Sequence, residues 1–183
     1  MTVNRLMRIS SLTIVALAAS AVVLAQDVAY NAMPGVDFTK FKTYKWVVAD
    51  NAQKLDQITD TMITQAFEAE LAKKGLTKTT ADTADLYVTY QAAINTQKEW
   101  NAYSTGGYGW GYGMGGGMTT ATESTINVGT IRLDMYDPSS KELVWRGTAS
   151  KTLDNKADSE KREKNINKAA EKMLKHFPPP VKK

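Results

Sequence analysis

The apolar residues of this chain recur with two different periods, and the order in which those periods alternate restricts the fold more than any other property. From Ala157 to Phe177, the residues Ile166, Ala169, Ala170, Met173, Leu174 and Phe177 fall on one side of a helical wheel, with Lys161, Lys164, Lys168, Lys172 and Lys175 on the other. Asp158 and Glu160 suit the positive end of such a helix, and Pro178, Pro179 and Pro180 stop it. A second helix is predicted from Leu55 to Lys74, with Asp56 and Asp60 early, Lys73 and Lys74 late, and Gly75 as a left-handed terminator. It carries two apolar rows, Leu55, Ile58, Met62, Ala66 and Ala69 in one and Ile63, Phe67 and Leu71 in the other. Two rows imply two partners, a sheet beneath and a helix beside.

The remaining segments alternate with the period of a strand. Val28-Ala29-Tyr30 is a short extended piece ended by the turn Pro34-Gly35, and Phe41 to Val48 follows with Tyr44, Trp46 and Val48 on one face. Leu86, Val88, Tyr90, Ala92 and Ile94 place a strand from Asp85 to Gln97. Another runs from Ser124 to Tyr136, where Ile126 and Val128 hold one parity and Ile131, Leu133 and Met135 the other, so a bulge is expected at Gly129. Asp137-Pro138-Ser139-Ser140 turns the chain into a strand from Glu142 to Leu153, with Leu143, Trp145, Ala149 and Leu153 facing one way. The expected fold is an α+β domain: an antiparallel sheet of about five strands with two helices packed on one face, in the order β-β-α-β-β-β-α.

Residues 1–25 stand outside this pattern. Arg5 and Arg8 precede an uncharged apolar stretch from Leu12 to Leu24, and Val23 and Ala25 offer a cleavage site, so a signal peptide ending before Gln26 is expected, with a single domain over 26–183. Its removal takes two positive charges from a chain whose net charge is only +4, which leaves little electrostatic motive for binding nucleic acid. No membrane-spanning segment is then expected. The chain has no cysteine and one histidine, so disulfides, thiolate chemistry and sulfur- or multi-histidine metal sites are excluded, and no cofactor is expected. Without a cysteine there is also nothing to carry a lipid anchor.

One segment fits neither period. Trp100 to Met118 holds Trp100, Tyr103, Tyr108, Trp110 and Tyr112 among eight of the twelve glycines, all eight between Gly106 and Gly117. It offers no continuous apolar face, and a long loop at about 99–122 is expected. Its aromatic rings are large, stiff and polar at one end, suited to a protein interface or a sugar ring, and these five residues are the candidate contact site.

Catalytic constellations are hard to assemble. His176 sits where the dipole of the last helix favours it. Asp134, Asp137, Glu123 and Glu142 lie at turns or strand ends with surface roles expected, and the glycine-rich segment lacks the lysine and following helix of a phosphate cradle. In Val144-Trp145-Arg146-Gly147, Trp145 is expected to anchor the core and Arg146 to pair with Asp134 or Glu142 on the opposite face, with Gly147 allowing close approach. Trp46 and Phe177 are further expected anchors.

Taken in order, Val36-Asp37-Phe38, Phe41-Lys42-Thr43-Tyr44-Lys45-Trp46, Leu71 with Gly75, Ala84-Asp85-Leu86-Tyr87-Val88, the Gly/Tyr/Trp segment, Leu133 to Asp137, Val144-Trp145-Arg146-Gly147 and Phe177-Pro178-Pro179 resemble the bacterial family catalogued as domain of unknown function 4136. The resemblance covers nearly all of Gln26 to Pro179 and implies an exported envelope protein, often a lipoprotein, with no established activity. The absence of cysteine departs from the lipoprotein version. The expectation is therefore a non-enzymatic binding or assembly module of the periplasm or outer-membrane surface, touching an envelope protein or cell-wall glycan. A carboxylate-based hydrolase of envelope polysaccharide and a purely structural subunit are the alternatives.

Overall fold

The computed structural model describes residues 27–49, 53–104 and 119–180. The signal peptide expected over residues 1–25 lies outside them. Six strands and two helices follow in the order β1 (Asp27–Ala32), β2 (Thr43–Trp46), α1 (Gln57–Lys73), β3 (Thr77–Lys78), β4 (Leu86–Ser104), β5 (Thr119–Asp137), β6 (Glu142–Thr152) and α2 (Ser159–Leu174), with a short 3-10 turn at Phe38–Lys40. Among the described residues no helix is long and apolar enough to cross a membrane.

The α+β class is as expected, but the sheet is six-stranded and mixed. Its spatial order is β1-β6-β5-β4-β2-β3. The chain leaves β2 through α1 and returns, and such a helical crossover delivers the next strand parallel. Tyr44 accordingly lies beside Leu86 and Trp46 beside Val88, and the two-residue β3 adds itself parallel to β2 at Thr43 and Tyr44. The remaining pairs are antiparallel.

Both helices begin on an aspartate. Asp56 accepts the amide of Thr59 at 3.0 Å and Asp158 that of Lys161 at 2.8 Å, each satisfying a donor with no partner inside the helix. Gly75, with φ of +82°, closes α1 in the left-handed region. Of the two apolar rows of α1, Ile63, Phe67 and Leu71 enter the core together with Ala66 of the other row, whereas Ile58 and Ala69 stay exposed.

A single core fills the space between the sheet and the helices. Leu71, Leu86, Val88, Leu133, Met135, Met173 and Leu174 have no exposed surface. Each such burial stabilises by about 1.5–3 kcal/mol relative to exposure. Trp145 and Phe177 meet edge to face with centroids 5.5 Å apart, and Phe177 meets Phe38 in the same way at 5.7 Å. Gly147 is small for a reason. A Cβ there would lie 2.4 Å from Cη2 of Trp145 and 3.2 Å from Cε of Met173.

The bulge is not at Gly129, where β5 keeps its register with both neighbours. It falls between Met135 and Tyr136, which face Trp145 and Leu143, so that Val144 is the extra residue. The bulge turns both Val144 and Trp145 inward, at 2% and 1% exposure, and leaves Leu143 only half-buried. The parity change in β5 has another origin: Leu133 and Met135 face the helices, while Val128 sits on the opposite side of the same regular strand. Val48, expected in a strand, lies past the end of β2 and is 90% exposed.

Candidate functional site

The segment expected to be one long loop is shortened at both ends by sheet. The last rung between β5 and β6 pairs Val128 with Thr152, and the last between β2 and β4 pairs Trp46 with Val88. Leu153 still donates its amide to the Asn127 carbonyl at 2.7 Å, and beyond it, among the described residues, β4 and β5 pair only with each other, from Gln97 opposite Ile126 to Ser104 opposite Thr119. At about 3.3 Å per residue this two-stranded arm reaches roughly 25–30 Å beyond the sheet body. Cross-strand polar contacts brace its base: Thr96 Oγ1 donates to Oδ1 of Asn127 at 2.9 Å, and Lys98 Nζ lies 2.5 Å from Oε1 of Glu123. Among the described residues no helix covers the arm, so neither of its faces needs apolar residues. Thr119, Thr120, Thr122 and Thr125 favour extended backbone without an apolar stripe.

Trp100 and Tyr103 therefore stand on β4, at register positions opposite Glu123 and Thr120, rather than in a loop. Tyr108, Trp110 and Tyr112 lie outside the described residues. Of the four expected anchors, Trp145 and Phe177 are buried in the core, and Arg146 is half-buried. Trp46 is half-buried, meets Tyr44 and Tyr90 edge to face at 6.0 and 6.1 Å, and donates its indole N–H to Glu68 at 2.9 Å. His176 stacks on Tyr30 with centroids 5.5 Å apart, one residue beyond the C-cap of α2.

A second polar assembly occupies the sheet face that the helices leave free. Register places Thr89, Asp134, Arg146 and Asn31 in one row and Gln91, Arg132 and Thr148 in the next. Arg146 grips Asp134 with both arms of its fork, Nε to Oδ1 at 2.6 Å and Nη2 to Oδ2 at 2.9 Å. Arg132 Nε stands 3.3 Å from Oδ2 and its Nη2 donates to Gln91. The hydrogen bond to Asp134 holds the Arg146 guanidinium above its ordinary pKa. Asp134 is buried, its side chain 3% exposed against 37% and 38% for the two arginines. This corrects the surface role expected for it, since two guanidiniums cover a carboxylate at the centre of a sheet. Arg132 escaped notice because no turn marks it.

Asp137 is also buried rather than superficial. It accepts the hydroxyl and amide of Ser139 and the ammonium of Lys40 at 3.1 Å, and the Ser139 hydroxyl leads in drawing its carboxyl down to about 2. Asp85 joins strands, accepting the amides of Lys42 and Thr43 at 2.8 Å each, which hold its carboxyl below the ordinary range. Asp82 is held down likewise by Lys45 at 2.5 Å. The groove these acids line with Phe41 is thus built from carboxylates already engaged in structure.

Comparisons with known proteins bear on the family and, through one solved structure, on the fold. The family described as Domain of unknown function (DUF4136) matches residues 28–179. A PDZ domain protein from Parabacteroides distasonis superposes with a TM-score of 0.54 at 18% identity, over 85% of this chain and 36% of that one, so this chain spans about a third of that protein. The PelC dodecamer from Paraburkholderia phytofirmans matches with a TM-score of 0.45 at 14% identity, over 82% of this chain and 95% of that one. A comparison with curated proteins gave no match. At such identities the likeness to solved structures concerns the fold.

Proposed function

This chain belongs to the DUF4136 family, and we propose that it is an exported, non-enzymatic contact module of the cell envelope that meets its partner through the β4–β5 arm and the aromatic segment the arm carries. The observation that carries this reading is the arm itself: two strands leave the covered body and continue, paired only with each other, toward the stretch richest in tyrosine, tryptophan and glycine. Holding a backbone pair out from the core costs conformational entropy and returns little burial, an arrangement suited to a surface that is covered on association. Export is supported by the order of Arg5, Arg8 and the apolar run up to Leu24. The carboxylates support contact rather than hydrolysis. Among the described residues every aspartate with a resolved shift moves downward, away from what a general acid at neutral pH requires.

The test is a photo-reactive residue at Tyr108 or Trp110 in intact cells, beside a variant lacking Gly106–Gly117. One discrete adduct, lost from the shortened but folded variant, is the expected result. Equal capture of envelope components by the shortened variant would remove the arm from the reading, and cytoplasmic recovery of unprocessed chain would remove export. Sedimentation with purified cell wall separates a glycan partner from a protein one.

A further inference from the structure

The arm has two sides, and among the described residues one of them is an unprotected sheet edge. Val47 donates its amide to the carbonyl of Val88 at 2.8 Å, so Val88 directs its backbone groups away from β5. The β4–β5 register is unbroken from Tyr87 to Ser104, so Tyr90, Ala92, Ile94, Thr96 and Lys98 direct their N–H and C=O groups to the same open side. Exposed edges are normally blunted by charge, proline, a bulge or brevity. The other edges of this sheet follow that rule: β3 has two residues and ends on Lys78, β1 has six and starts on Asp27, and the free edge of β5 carries Glu123. From Thr89 to Gln97, β4 has no charge, proline or glycine. Its mouth is apolar. Ile94 is 61% exposed, Val48 follows the last β2 ladder bond at 90%, and Ile58 at 68% lies two residues before Asp60, which accepts the Tyr90 hydroxyl.

We propose that two copies of this chain associate through this edge, β4 pairing antiparallel with β4 about a two-fold axis and joining the two sheets. Unpaired backbone groups specify an extended strand as the occupant. Self-pairing is the choice the charges favour at one register: with the axis at Gln97, Lys98 stands opposite Thr96 and Glu99 opposite Asn95 of the second copy, so no like charges meet, whereas an axis at Lys98 or Glu99 would set like charges against each other. The structure also limits the register. Because β2 fills the edge as far as Val88, each arm clears the other copy's β2 only when the axis lies at Gln97 or further out. With the axis at Gln97, Tyr90 faces Ser104 of the second copy, and Ile94 lies within the joined strands opposite Trp100.

The absence of cysteine makes the test clean. In the joined ladder the odd-numbered residues form the close, non-hydrogen-bonded pairs, with Cα atoms about 4.5 Å apart and within disulfide reach. Light scattering of the processed chain should give a dimer, and oxidation should cross-link Gln97→Cys or an odd-numbered neighbour further along the arm, but not Gln91→Cys. Ile94→Pro removes an amide that faces the open side and spares the β5 ladder, and should raise the dimer dissociation constant at least tenfold with the circular dichroism spectrum unchanged. Ile94→Lys does the same through charge, should the proline variant fold poorly. A monomer at all concentrations would overturn the proposal, as would a dimer that survives both folded variants.

Discussion

Replacing Arg146 by methionine leaves Asp134 without its fork while keeping the aliphatic stem that lies on the sheet. The two hydrogen bonds, at 2.6 and 2.9 Å, are charge-assisted and individually worth about 1.5–3 kcal/mol. Solvent at the 38% exposed guanidinium screens them, and Arg132 at 3.3 Å takes over part of the charge. A net loss of roughly 2–4 kcal/mol remains, toward the lower side of what breaking a buried pair costs. The converse change, Asp134→Asn, is gentler. It leaves guanidiniums that reach water, and should cost about 1–2 kcal/mol. The double variant should be close to Asp134→Asn alone, since the charge Arg146 answers is already gone. Urea unfolding at pH 7 reads all three. With a slope of about 1–3 kcal/mol per molar, Arg146→Met should lower the midpoint by about 1–2 M. An Asp134→Asn loss larger than that of Arg146→Met, or two losses that simply add, would refute the account of a buried acid held by exposed bases.

Gly147→Ala puts a methyl 2.4 Å from the Trp145 ring and should destabilise by about 1–3 kcal/mol; pairing it with Trp145→Phe should recover part of that, read as a thermal midpoint. Asp137 titrates below its ordinary 3.8, at about 2, so its contribution is full above pH ~4 and lost as pH falls toward ~2. Asp137→Asn should accordingly be about 1–2 kcal/mol less stable at neutral pH, with its urea midpoint converging on the unaltered protein's near pH 2; parallel curves would rule this out. Trp46→Phe loses the indole hydrogen bond to Glu68 and should cost about 1 kcal/mol, whereas an unchanged midpoint would mean water replaces it fully.

Where a segment faces the core, its residues announced its conformation. The α2 wheel, the Asp56 and Asp158 caps, the Gly75 terminator and the hairpin across Asp137–Ser140 were all legible, because each rests on contacts within a few residues or on one solvent-avoiding face. The turn made it legible that Arg146 comes near Asp134, but only the bulge at Val144 sets the two directly opposite each other. What stayed hidden depends on distant chain. The parallel seat of β2 against β4 comes from the path of α1. The bulge at Val144 accompanies the burial of Trp145 against Phe177, and Asp134 is buried with strands on both sides of it. The arm was hidden for the opposite reason, since strands that cover nothing need no apolar rhythm. Periodicity records which side chains must leave water, whereas strand order, register and an edge left open are decided only when the whole sheet is assembled.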